Sequence, residues 1–249
     1  MGWDITYHPI KADEVRSIYF QGLTDPNHID SIIEMFSVDE FYAEQLRMRF
    51  EEACGIEEEV PFNKGHAFYT AIILGFLRKH HYIRGGAFSF LTDDAVMATY
   101  VGDWKTLIPE DYREKKIENQ LTENYCGGVY LPHAALKKLR EDYQTIPHVK
   151  EKMDEAFSHG RLDIFWKAVD DAIENGLGLI EAAEVVEPNP LNLDASRSLS
   201  NLFNCSPDGA ILYSEAVATQ LNEAIEKQKT ESPPPKKSFF SRLFGKWMR

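Results

Sequence analysis

Nucleophilic chemistry in this chain would begin at Cys126, which stands directly before Gly127-Gly128 and seven residues ahead of His133. A thiol attacks only when a nearby base and a depressed pKa turn it into thiolate. His66, at the head of an apolar run, and His133 are the other two residues from which a catalytic group could be drawn. Buried, inert cysteine is the commoner fate of such a residue. Catalysis through Cys126, His66 or His133 is therefore the alternative reading and not the expected one. Cys54, Cys126 and Cys205 are odd in number and far apart. They offer neither a ligand pair for a metal nor a disulfide framework, which fits a reducing compartment.

Eight histidines invite a search for a metal site, yet no His-x-x-x-His or His-Glu-x-x-His spacing occurs. His80 and His81, read as helical, would point apart. Dinucleotide, Walker-type, Gly-x-Ser-x-Gly and EF-hand patterns are absent as well. No metal and no cofactor are expected. A different set of residues is more suggestive. Asn63, Lys64, His66, Arg84, Asn124, His159, Arg161, Asn189, Asn192, Arg197 and Asn201 sit beside glycine, proline or aromatic residues at the ends of elements, where sites are usually built. Two near-repeats, Arg84-Gly85-Gly86-Ala87-Phe88 and Cys126-Gly127-Gly128-Val129-Tyr130, read as tight turns that feed short strands or loops. Together these residues define one candidate cleft for a ligand or partner.

The elements that must position them follow from periodicity. Pro61 to Gly86 contains the apolar run Ala67–Leu77, interrupted only by Thr70 and apolar all the way round a helix. Such a helix belongs inside a core. Asn63 would cap it and the basic cluster Arg78 to His81 would end it, so a central helix over about 63–82 is expected, with the others packed around it. Asp4 to Ile10 reads as a strand stopping at Pro9, and Ala12–Leu23 as an amphipathic helix. A helix begins at Asp25-Pro26, and Ser37 or Asp39 caps the next. Thr92–Tyr100 predicts a short helix, and helices from Pro132, over 147–157 and over Leu162–Asn175 follow. Leu177–Val186 predicts a strand, 188–207 a long loop, and Ile211–Lys229 a final helix. The class is α+β, predominantly helical with a small sheet.

Composition narrows the function. The 249 residues are 43% apolar, enough for a sizeable core. They carry 40 acidic against 27 basic side chains, a net charge of −13, which argues against nucleic acid as a partner. The last seventeen residues hold five of the basic groups and no acid, leaving 22 against 40, a net −18, for residues 1–232. An acidic body calls for a basic protein partner. Residues 1–229 read as a single domain, 230–237 as a proline-rich linker, and 238–249 as a basic amphipathic tail. In that tail Phe239, Phe240, Leu243, Phe244 and Trp247 oppose Arg242 and Lys246. The tail predicts a weak contact with an anionic membrane or with a partner groove. No charged leader with an apolar stretch opens the chain, so no signal peptide is expected and the location is cytoplasmic.

Met1-Gly2, the phrase Val129-Tyr130-Leu131-Pro132 before a leucine-rich helix, and Phe165-Trp166-Lys167-Ala168 through Gly176-Leu177-Gly178-Leu179-Ile180 resemble the YfbM-like family of small bacterial α+β proteins. The likeness covers about the middle half of the chain. It implies a cytosolic α+β protein of a kind that can sit beside toxin genes as an antidote, and it transfers no catalytic residue. The expected function is an immunity-type antidote that neutralises a basic toxin or effector by direct binding. The alternative is an enzyme acting on a small polar substrate in a pocket lined by the double-glycine loops.

Overall fold

All seven residues of the first strand, β1 (Asp4–Ile10), are buried, which places it in the interior of a sheet. The structure, a computed structural model, describes residues 3–231. The further strands are β2 (His80–Arg84), β3 (Gly127–Leu131), β4 (Gly178–Ala183), β5 (Val186–Glu187), β6 (Arg197–Ser198) and β7 (Cys205–Ser206). The main sheet runs in the order β3-β4-β1-β2-β7. It is antiparallel except for β7, which lies parallel to β2. β5 and β6 form a separate two-stranded pair. Pro9 does not end β1: it pairs with Leu179 of β4, whereas pairing with β2 stops at Tyr7–His81. The Pro9 carbonyl, on the β2 side, accepts from Arg78 Nη1. No strand faces the proline nitrogen there, so its missing N–H costs nothing.

Helices cover both faces of the sheet. On one lie α1 (Gln21–Thr24), α2 (Pro26–Met35), α3 (Glu40–Cys54) and α4 (His66–Leu77). They pack with Ile10, Tyr82, Tyr130, Ile180 and Ala182 of the strands. On the other lie α5 (His133–Thr145), α6 (Pro147–Ala156) and α7 (Arg161–Glu174), against Ile5, Tyr7, Ile83, Val129, Leu131 and Leu179. The alternation of β1 explains the division, since Ile5 and Tyr7 point one way and Ile10 the other. A final helix, α8 (Asp208–Glu231), starts beside β2, where a Cβ on Gly209 would fall 1.8 Å from the Tyr82 carbonyl oxygen. Every residue from Ala218 to Lys229 is exposed, so this part of α8 projects beyond the body.

Several elements differ from the sequence expectation. α4 is buried at every position except Tyr69, but it covers one face of the sheet and is not an axis shared by all helices. It is also shorter than 63–82. Asn63 lies in the preceding turn, and Gly65 is the N-cap with no side-chain bond. His80 and His81 belong to β2, where alternation turns them to opposite faces. Val15–Phe20 winds as a π-helix before α1, with Val15, Ile18, Tyr19 and Phe20 buried. Two short 3-10 turns, Phe88–Leu91 and Met97–Tyr100, replace the helix expected from Thr92. The caps agree: Asp25 accepts from Asn27 N with Pro26 in the first turn, and Asp39 accepts from Phe41 N. The expected linker 230–237 and tail 238–249 lie, beyond Glu231, outside the described residues. Among the described residues no helix is long and apolar enough to cross a membrane.

Candidate functional site

The two double-glycine phrases meet around a single buried carboxylate that the sequence reading passed over. Glu181, in the middle of β4 and 1% exposed, accepts the Tyr7 hydroxyl at 2.9 Å and the Phe88 N–H at 2.6 Å on Oε1. The Ser89 N–H reaches it at 3.3 Å. Tyr7 Oη also lies 3.2 Å from the Gly86 carbonyl and accepts from Phe88 N. Gly128 makes the room, because a Cβ there would fall 2.2 Å from Glu181 Oε2. Gly127 does the same for α4, its Cβ position being 2.6 Å from that of Ala67. Gly127 and Gly128 are thus residues of β3, not a turn, and close approach is what they provide. Burial pushes the Glu181 carboxyl up, while Ser89, Tyr7 and Phe88 pull it down. Its apolar surroundings leave this carboxylate no route to solvent, and it holds the 87–89 segment onto the sheet.

Around the start of α4 the Gly127 N–H donates to the Asn63 carbonyl at 2.7 Å, and Lys64 pairs with Glu123, the residue before Asn124. Asn63, Lys64 and Gly127 therefore come together as a structural joint between the loop before α4 and the loop before β3, while Asn124 is exposed beside it. Cys126 is buried there. Its thiol donates to the Glu123 carbonyl at 2.8 Å, and burial raises its pKa. His133 hydrogen-bonds through Nδ1 to the Leu177 carbonyl at 3.1 Å. A buried thiol with a raised pKa is the opposite of an activated nucleophile.

His66 stands apart. Its Nδ1 shares a hydrogen bond of 2.7 Å with the Tyr19 hydroxyl, and the rings of Phe20, Phe62 and Tyr112 surround it. It lines a cavity of about 330 Å³ together with Cys54, Ile56, Tyr112 and Lys115. Burial, with Lys115 adding, brings its pKa to about 4, so it is neutral at pH 7 and a weak proton acceptor. Lys115 turns its ammonium to the Glu58 carbonyl at 2.7 Å. The cavity can hold a neutral polar group by hydrogen bonding.

Arg84, Gly85, His159 and Arg161 are brought together at the other end of the molecule. β2 ends at Arg84 and α7 begins at Arg161, and both residues line one small cavity with His159 and Tyr213. Arg84 pairs with Asp4, which also accepts the Tyr82 hydroxyl, and its guanidinium lies 5.0 Å over the Tyr213 ring. Behind Asp4 sits Glu184, left-handed at φ 63 and 8% exposed, accepting the Asp4 N–H at 3.3 Å. Burial first, and then the Asp4 carboxylate, raise Glu184 to about 7.

The remaining candidates, Asn189, Asn192, Arg197 and Asn201, lie on the 188–207 segment: Asn192 and Arg197 are exposed, while the Asn189 and Asn201 side chains accept local backbone N–H groups. That segment is better ordered than a plain loop. It carries β6, which pairs with β5 just before it, and β7, and Ser200 Oγ donates to the Ile72 carbonyl at 2.7 Å. Its most prominent side chain is one that sequence reasoning missed, Phe203, which is 89% exposed. Phe203 packs edge-on to Tyr42 at 6.2 Å, and Tyr42 contacts Phe41, itself 66% exposed, at 5.2 Å. Met35, 71% exposed, and Phe36 end the preceding helix and form one wall of a cleft of about 620 Å³. Exposed Glu34, Asp39, Glu40 and Glu44 flank these apolar residues. No protein-family model matches the chain, and no curated protein or solved structure shows significant similarity to it.

Proposed function

We propose that the protein is an acidic, cytosolic binding protein of the immunity type, which covers a basic toxin or effector by direct contact. The observation that carries this reading is the aromatic patch Phe41, Tyr42 and Phe203 with its fringe of Glu34, Asp39, Glu40 and Glu44. Phe41 and Phe203 are left largely in solvent, with Tyr42 between them packed on the core. Buried in a partner, such aromatic side chains are the residue type that dominates interface energetics. None of Glu34, Glu40 and Glu44 forms an ion pair among the described residues, so their charge is left to an outside cation. The net −18 of residues 1–232 adds long-range attraction for a basic surface and faster association. The resemblance to the YfbM-like family points the same way.

The test is affinity capture from the protein's own cells at low salt, followed by direct binding of the repurified captured protein. The reading expects a basic partner whose affinity drops at least about thirtyfold for Phe41→Ala/Phe203→Ala, the loss of an aromatic anchor. A Glu40→Lys/Glu44→Lys variant should lose binding as well. A captured protein that binds all three forms equally refutes the patch as its docking surface.

A further inference from the structure

We infer that the cavity between the end of β2 and the start of α7 is a binding site for a phosphoryl group, independent of the aromatic patch. It measures about 60 Å³ and is lined by Arg84, His159, Arg161 and Tyr213 with Ile83 and Ile164 behind them. That is room for one tetrahedral oxyanion.

The charge inside it is incompletely balanced. Arg84 has a carboxylate partner in Asp4. Arg161 has none among the described residues: Nη1 donates to the Ser158 carbonyl at 3.2 Å, and Nη2 lies over the turn after Arg84, 3.8 Å from where a Gly85 Cβ would stand. Two guanidinium groups therefore line one cavity, and of the two only Arg84 pairs with a carboxylate among the described residues, on a body that is otherwise strongly acidic. Holding like charges together in a partly enclosed space is unfavourable until an anion enters. Gly85 at φ 75 lets the chain leave β2 in a left-handed conformation, and an L-residue there would strain the backbone. His159 and Gly160, at φ 61 and 80, reverse the chain in front of α7. The positive end of that fourteen-residue helix adds to the same potential, partly offset by exposed Asp163 in its first turn.

Donor count selects the ligand class. Two planar forks and an imidazole offer more N–H groups than the two oxygens of a carboxylate can accept, and they match the three free oxygens of a phosphoryl group. The shared chemistry is the phosphoryl dianion, carried either by free phosphate or by a small phosphate monoester.

The experiment is a calorimetric titration of the full chain with inorganic phosphate and, separately, with glycerol 3-phosphate, at constant ionic strength. Wild type should bind one equivalent saturably. Arg161→Gln should weaken that binding at least tenfold, as expected for the loss of a charge-assisted bidentate contact. Arg161→Lys, which keeps the charge and loses the fork, should fall between them, and Lys105→Gln, exposed and outside the cavity, should match wild type. Tighter binding of the ester than of phosphate identifies a monoester ligand, and the reverse identifies free phosphate. The inference is overturned if wild type binds neither probe saturably, or if folded Arg161→Gln or Arg161→Lys binds as wild type does.

Discussion

Acid should unfold this protein through histidines that the fold holds neutral, and His80 allows the size of the effect to be worked out. His80 is fully buried in β2 and stacked on His8 of β1, ring centroids 4.7 Å apart. His8 Nε2–H donates to Thr6 Oγ1 at 2.9 Å, because the Thr6 hydroxyl is itself committed to the Ala182 carbonyl. Neither ring nitrogen of His80 has a well-aligned partner, and the Arg78 backbone offers only a weak one. Burial therefore dominates and brings His80 to about 4, against 6.5 in the unfolded chain. Between those values the unfolded state binds more protons, so stability falls as pH falls. The full difference corresponds to ~3 kcal/mol, and about 2 kcal/mol of it is lost between pH 7 and pH 5. His8 is lowered too, by burial and then by His80 and His81, and its loss has the same sign. Glu184 acts in the opposite direction: raised to about 7, it takes up a proton on folding below that pH and so offsets part of the loss down to its unfolded value. Comparing wild type with His80→Leu removes that background. Urea denaturation at pH 7, 6 and 5 should show the variant losing about 2 kcal/mol less than wild type between pH 7 and 5. Parallel pH profiles for the two proteins would refute the assignment of His80 as a neutral, desolvated group.

Three further outcomes follow from the interior. Gly128→Ala should destabilise by about 1–3 kcal/mol in thermal or urea unfolding, because its Cβ would overlap Glu181 Oε2 and meet Leu121. Glu181→Leu should cost about 1–3 kcal/mol, since it leaves the Ser89 N–H without an acceptor and reduces Tyr7 Oη and the Phe88 N–H to their bonds with the Gly86 carbonyl and Tyr7 Oη. With iodoacetamide under native conditions, mass spectrometry should find Cys54 modified well before Cys126, because Cys54 is exposed and Cys126 is buried with its thiol bonded to Glu123. Equal labelling of the two would mean that the loop before β3 opens.

What was legible in the sequence is what local rules control. Asp25-Pro26 and Asp39 declared the starts of α2 and α3, and the apolar stripe of Ile164, Phe165, Ala168 and Val169 declared α7. The α+β class followed from such elements. The paired glycines stand out in the sequence, but the sequence does not disclose their use. Gly127-Gly128 reads as a turn, yet its freedom serves close approach to Ala67 and Glu181 from inside a strand. Basic character after Leu77 does mark the end of α4, whereas His80 and His81, within the expected helix 63–82, open β2 through pairing with β1. The candidate cleft was one list of polar residues in the sequence and is several places in the fold. Arg84 and Arg161 are 77 positions apart, and only the packing of β2 against α7 joins them. A signal for Glu181 did exist: two acids, Glu181 and Glu184, stand within the apolar run Leu177–Val186 and need buried donors, and for Glu181 these are Tyr7 and the 88–89 amides. Phe203 carried no such mark, because nothing in an Asn/Ser-rich stretch says which aromatic is left outside.

The central claim, that an acid-fringed aromatic patch receives a basic protein, is tested most directly by the salt dependence of that complex. With the repurified partner, raising ionic strength from low to physiological should weaken wild-type binding about tenfold or more, chiefly by slowing association. Phe41→Ala/Phe203→Ala should bind weakly at every salt concentration. An affinity indifferent to salt, or one that survives removal of both aromatic side chains, would contradict the account.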